Sequence, residues 1–329
     1  MPPAIAGLLD QILWPVLLPG TIAGVLLLLA WRPWVRGEGA ETGHGAAWVL
    51  PITAGIGFII AFFDQAERIT WPFPDKWHGL AYAAGMLVGV GAVVATIRSS
   101  WLSLLVAAAG AGAVAFYGVD LPTLGDTKGR LLLAGAAVLA VLSTESLATR
   151  RPGPVVPALF WLGFTGLSIT VLSGGFARLS LMAAGLSAVA GGAVVCGVLH
   201  PRFRASRGGA AVLATMFALL LPTAWIYGNQ DILGPTPYVL LAAIPIAGWL
   251  GELPIFGRIE VPRGERASDE PAGVSAGPPL VRARRRLSAD LARLLIPALL
   301  AVAAIAVARG GSTDTAEDAA DDPSSFYGG

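Results

Sequence analysis

Ten stretches of this chain are nearly free of charge over 18 to 22 residues, at about 12–31, 46–63, 79–97, 101–118, 130–148, 154–173, 178–199, 209–228, 236–255 and 291–308. A helix rises about 1.5 Å per residue, so roughly 20 apolar residues cross the ~30 Å hydrocarbon core of a bilayer. Within lipid every backbone N–H and C=O needs an internal partner, which leaves helices and closed barrels as the spanning structures. A barrel alternates apolar and polar residues over about ten positions, and no such alternation is present. The expected fold class is all-α, a polytopic transmembrane helical bundle of about ten spans with no folded soluble domain.

Charge supports the same reading. Only 13% of the 329 residues are charged and 55% are hydrophobic, with a mean hydropathy of +0.70. A soluble domain carries about a quarter charged residues. The formal net charge of +1 and the lack of a basic, aromatic-interleaved face exclude a nucleic-acid partner. Cys196 is the single cysteine, so no intrachain disulfide forms and thiol-based metal or redox motifs are absent. Twenty Arg against two Lys, with abundant Ala and Gly, suggest a GC-rich bacterial genome and hence an inner-membrane location. The N-terminus lacks the positive region of a cleaved signal peptide, and the first run is expected to persist as a span.

Nine of the ten Trp fall near span ends, as an interfacial aromatic belt requires; Trp161 is the exception. The loops after odd-numbered runs hold sixteen of the 22 basic residues. By the positive-inside rule those loops are cytoplasmic and both termini are extracytoplasmic. The expected domain plan is a membrane bundle over 1–255, a disordered, basic cytoplasmic linker over 256–290, a last span over 291–308 and an acidic disordered tail over 309–329. Arg282, Arg284, Arg285 and Arg286 abut the last span, where they either contact anionic lipid headgroups or serve as a topology anchor.

Catalytic motifs give little. "GVSAG" at 273–277 fits GxSxG, but Ser275 lies in a Pro/Gly-rich linker with no strand-to-helix elbow to present it. His44, His78 and His200 are scattered. Neither a catalytic residue, a cofactor site nor a metal site is expected. Acids near membrane depth are the default functional candidates, because burying them is costly. Glu145 and Glu252 sit near the ends of the fifth and ninth runs, either as coupling carboxylates or paired with Arg150, Arg151 and Arg258. Trp161, Thr165 and Ser168 fall on one face of the sixth run, suited to lining a cavity or to helix packing. Gly20 with Gly24 and Gly85 with Gly89 are GxxxG pairs that permit close helix approach, and Pro19, Pro222 and Pro245 interrupt spans.

Two polar loops complete the candidates. "FFDQAERITWPFPDKWHG" at 62–79 places Asp64, Glu67, Arg68, Asp75 and His78 toward water on the outer surface, with its Trp residues at headgroup depth. "YGNQDILGPTPY" at 227–238 adds Asn229 and Asp231. Together they form either a vestibule for a polar solute or ordinary interfacial loops. The leading functional expectation is a secondary permease or exporter of a small polar or lipid-linked solute. The alternatives are a non-catalytic membrane subunit that docks a partner through its outer loops and, more weakly, an intramembrane enzyme.

Overall fold

In the computed structural model the described residues are 13–31, 47–65, 76–200, 203–228, 233–252 and 293–310. Among them there is no strand. A π-helical turn, Leu13–Leu17, leads into α1 (Leu18–Trp31). There follow α2 (Val49–Gln65), α3 (Gly79–Thr96), α4 (Ser100–Tyr117), α5 (Thr127–Arg150), α6 (Val155–Ser173), α7 (Ala177–Leu199) and α8 (Gly209–Tyr227). The ninth apolar run is broken into α9 (Thr236–Ala242), α10 (Ile244–Ala247) and a 3-10 turn, Gly248–Glu252. The last helix, α11, covers Arg293–Gly310.

Every apolar run thus contains helix among its described residues, and the chain has the build of an integral helical membrane protein. Among the described residues seven helices are long and apolar enough to cross a membrane, while Leu18–Trp31, Val49–Phe63 and Thr236–Leu250 are apolar but shorter. The expected count of ten full spans is therefore not reached by length alone. The ninth run breaks at Ala243, between Thr236–Ala242 and Ile244–Ala247, two residues ahead of Pro245, which has no N–H to continue the helical ladder. Pro222, by contrast, is accommodated inside α8.

Successive helices run antiparallel, so their ends gather at two poles. At one pole Trp31 packs on Phe203, with ring centroids 5.1 Å apart, and the Gly153 N–H donates to the Phe203 carbonyl at 2.7 Å. At the other, Phe62 packs on Trp77 at 5.4 Å and Phe176 stacks on Tyr227 at 6.1 Å. Helix α8 is the axis of the bundle: 72% of its apolar window is buried, against 28% for α11. Its Phe217 meets Phe164 edge-on at 5.4 Å, and Gly163 of α6 faces the same ring.

Small residues set the other contacts. A Cβ on Gly20 would stand 2.8 Å from the Ala188 Cβ, and one on Gly192 would meet the Gly24 backbone at 3.2 Å. The first GxxxG pair is thus the contact of α1 with α7. The second makes no close contact among the described residues: none of them lies within 4 Å of a Cβ built on Gly85 or Gly89. Trp101, Tyr117, Leu131, Leu132, Leu139, Val239 and Ile246 expose their apolar side chains outward, as a lipid-facing surface does.

Candidate functional site

Glu145 is buried in the last turns of α5. The sequence suggested pairing with Arg150 or Arg151; the structure differs. Its Oε2 accepts from the Arg207 N–H at 2.9 Å. Its Oε1 accepts from the N–H groups of Gly208 at 2.8 Å and Ala211 at 3.1 Å. These amides belong to the N-terminus of α8, where the first N–H groups of any helix lack partners. Gly208 is the N-cap residue and has no side chain to offer, so a carboxylate from another helix supplies the acceptor, favoured by the positive end of the helix dipole.

The turn is shaped for this contact. Arg207 and Gly208 have φ of 67° and 99°, and Arg207 is the sole non-glycine residue with positive φ among the described residues. A Cβ at Gly208 would lie 2.6 Å from the Gly91 carbonyl oxygen, so both the backbone angle and the close approach to α3 require glycine. A carboxylate engaged by three amides is a helix cap first. The sequence signal that would have located it is the "RGGA" at 207–210 ahead of an apolar run.

Glu252 also differs from expectation. Arg258 lies outside the described residues, and two other guanidiniums hold the acid. Arg151 makes a forked contact, Nε to Oε1 at 2.7 Å and Nη2 to Oε2 at 3.1 Å. Arg293 Nη2 donates to Oε1 at 2.9 Å. The Arg293 side chain is fully buried. The triad ties the start of α11 and the end of the broken ninth segment to the junction of α5 and α6. Beside it, Trp249 Nε1 donates to Ser143 Oγ at 2.8 Å, and the Arg150 guanidinium lies 5.1 Å from the centroid of the Trp249 ring.

Thr165 and Ser168 are turned against α7. Thr165 Oγ1 lies 2.6 Å from Ser187 Oγ and donates to the Trp161 carbonyl. Ser168 Oγ lies 3.1 Å from Ser180 Oγ, which donates to the Ser168 carbonyl at 2.8 Å. This hydroxyl ladder joins two helices, the packing alternative for that face. Trp161 is half exposed, its ring edge against Gly191 of α7.

At the opposite pole, His78 is buried against Phe62 and Trp77 rather than facing water. The rings that surround it extend the apolar core past the end of α2. Asp120, in the connection from α4 to α5, receives Lys76 Nζ at 3.3 Å and Arg130 Nη2 at 3.1 Å. Partial burial pushes its carboxyl pKa up, but the hydrogen bonds and charges of Lys76 and Arg130 outweigh that and hold it below the usual carboxylate range. Asp64 falls near the end of α2. Glu67, Arg68, Asp75, Asn229, Asp231, Arg282, Arg284, Arg285 and Arg286 lie outside the described residues, so the proposed outer vestibule and the basic run do too. No group of three metal-ligating side chains occurs among the described residues.

A polar recess of about 340 Å³ opens beside Glu145. The start of α4 lines it with Ser100, Trp101 and Ser103, and the end of α5 with Ser146, Thr149 and Arg150. The turn before α8 contributes Arg204, Ser206 and Arg207. Sequence reasoning did not assemble this set, because its three parts are separated by 40 residues or more. No family model matches the chain, and no curated protein or solved structure is found to be similar to it.

Proposed function

We propose that this chain is a multi-pass carrier for a small polar solute borne on a lipid, handled at one face of the membrane. The ten helical segments act as crossing segments, three of them short, in a bacterial inner membrane with both termini extracytoplasmic. The observation that carries this reading is the position of the polar recess. It opens at the ends of α4 and α5, where span meets interface, whereas the contact of α6 with α7 in the bundle is closed by paired hydroxyls.

Along α5 the residues 149, 146, 142, 139 and 132 recur every three to four positions or at multiples of that spacing, and so share one stripe. Thr149 and Ser146 line the recess, while Leu139 and Leu132 are exposed apolar side chains farther along the span. An amphiphile with its headgroup in the recess has an apolar track for its chain.

The test is reconstitution of the full chain into liposomes containing fluorescently labelled phosphatidylglycerol, with dithionite quenching as the readout. Protein-bearing vesicles are expected to expose inner-leaflet label faster than protein-free ones, and Ser103→Trp, which fills the recess, is expected to slow exposure. Equal rates with and without protein would sink the carrier reading. Orientation is read separately in a Cys196→Ala background: Pro122→Cys is expected to label with an impermeant thiol reagent in intact spheroplasts, and Arg98→Cys only after lysis.

One observation favours the second reading, a membrane subunit that docks a partner. Gly85 and Gly89 present an unfilled small-residue face on α3, the kind of surface on which transmembrane helices associate. Carrier activity in liposomes containing this chain alone would argue against it.

A further inference from the structure

The recess, read as the headgroup site of the carrier, has a chemistry more specific than polarity, and its further assignment rests on that reading. Three arginines, Arg150, Arg204 and Arg207, line it against one acid, Glu145. The carboxylate accepts from three amide donors of the α8 N-terminus, and its single negative charge leaves a surplus of two positive charges. The surplus positive charge is therefore left to the guanidiniums. Arg150 is positioned by the Trp249 ring, and no carboxylate among the described residues lies within ion-pair distance of Arg204 or Arg207.

The hydroxyls divide into two classes. Thr149 and Ser103 donate to backbone carbonyls within their own helices. Ser146 and Ser206 make no hydrogen bond with any described residue, although Ser206 is only 4% exposed. Neither oxygen is a buried unsatisfied atom, so both are open to the recess and free to meet a ligand. Arg207 carries the same message in its backbone. A non-glycine residue in the left-handed region is strained, and such residues gather at binding sites.

We propose that this recess binds a phosphate oxyanion, with Arg150, Arg204 and Arg207 neutralising the charge and Ser146 and Ser206 donating to its oxygens. A surplus of two positive charges matches a phosphomonoester better than a carboxylate. Guanidiniums from two separate elements can also meet a tetrahedral oxyanion from several directions, each through paired N–H donors. A volume of about 340 Å³ is at the small end of ligand pockets; it suits a headgroup and leaves an attached chain outside. The same phosphate chemistry is offered by a lipid monoester and by free phosphate.

The full chain, purified in maltoside detergent, is titrated with inorganic phosphate and, in parallel, with mixed micelles of dioleoyl phosphatidic acid or dioleoyl phosphatidylcholine. The thermal unfolding midpoint is followed. Phosphatidic acid, inorganic phosphate or both are expected to raise the midpoint, and phosphatidylcholine to leave it unchanged. A response to inorganic phosphate identifies a free-phosphate site, and a response to phosphatidic acid alone a lipid headgroup site. Arg204→Gln with Arg207→Gln is expected to require about tenfold more ligand or worse, as loss of charge-assisted hydrogen bonds does. Arg98→Gln, a basic residue of the same pole outside the recess, is expected to behave as wild type.

If the double variant does not fold, Ser146→Leu fills the recess without removing charge and is expected to abolish the shift. No shift with either phosphate probe overturns the proposal, and so does an equal loss in Arg98→Gln. Indifference of Ser146→Leu overturns it as well. A chain that binds phosphate through the recess yet moves no lipid in liposomes would defeat the carrier reading alone. One that moves lipid with recess variants unaffected would defeat this inference alone.

Discussion

The Gly208 N–H donates to Glu145 Oε1 at 2.8 Å, across 63 positions of sequence. One carboxylate on α5 thereby terminates the central helix α8. Replacement by Gln leaves one acceptor oxygen and turns an NH₂ group toward amide donors. An unsatisfied buried polar group costs about 1–3 kcal/mol, so Glu145→Gln is expected to lower the thermal midpoint in detergent clearly. An unchanged midpoint would show that water or another group caps α8.

The Glu252 triad leads to a larger effect. Arg293 has no exposed surface, so taking the Glu252 charge from beside a buried guanidinium breaks a buried ion pair, at a cost of about 3–5 kcal/mol. Glu252→Gln is expected to destabilise strongly, and Arg151, Glu252 and Arg293 all changed to Met to recover much of the loss. Thermal unfolding of the single and triple variants measures this. A triple variant worse than Glu252→Gln would mean that the ions contribute more than their own compensation.

Asp120 sets a pH dependence at the other pole. Its carboxyl is held below its ordinary pKa by Lys76 and Arg130, so the folded state favours the ionised form. The resulting stability is present above the unfolded carboxyl pKa, about 3.9, and is lost as pH falls through the lower folded value. The side chain is 47% exposed, so solvent screening limits the effect to about 1 kcal/mol or less. Asp120→Asn is expected to lower the midpoint slightly at pH 7 and to match wild type at the acid end of a pH series. A difference that persists unchanged down to the lowest pH would point to packing instead of charge.

The two GxxxG pairs are expected to respond in opposite ways. Gly20→Leu drives a side chain into Ala188 and is expected to cost about 1–3 kcal/mol, as overpacking does. Gly85→Leu enters open space and is expected to stay within about 0.5 kcal/mol of wild type, as surface changes do. Unfolding in a mild detergent compares them. Equal losses would mean that Gly85 is covered in the assembled protein.

Apolar length and the scarcity of charge determined the helices and their boundaries to within a few residues: the run at 154–173 is α6 at Val155–Ser173, and the run at 209–228 is α8 at Gly209–Tyr227. These properties are local, since each helix satisfies its own backbone and needs no partner to be recognised. Even the broken ninth segment had its marker in Pro245. Partner choice is different, because it depends on where distant segments come to lie. The same GxxxG spacing occurs at Gly20 and Gly85, but only the tertiary fold brings Ala188 and Gly192 against one and leaves the other open. Near in sequence, Arg150 and Arg151 offered Glu145 a counter-ion, yet the left-handed turn at Arg207 and Gly208 aimed three amides at it instead. The recess likewise exists only where the start of α4, the end of α5 and the turn before α8 converge, because charge and hydroxyls become a site only when packing places them around one space.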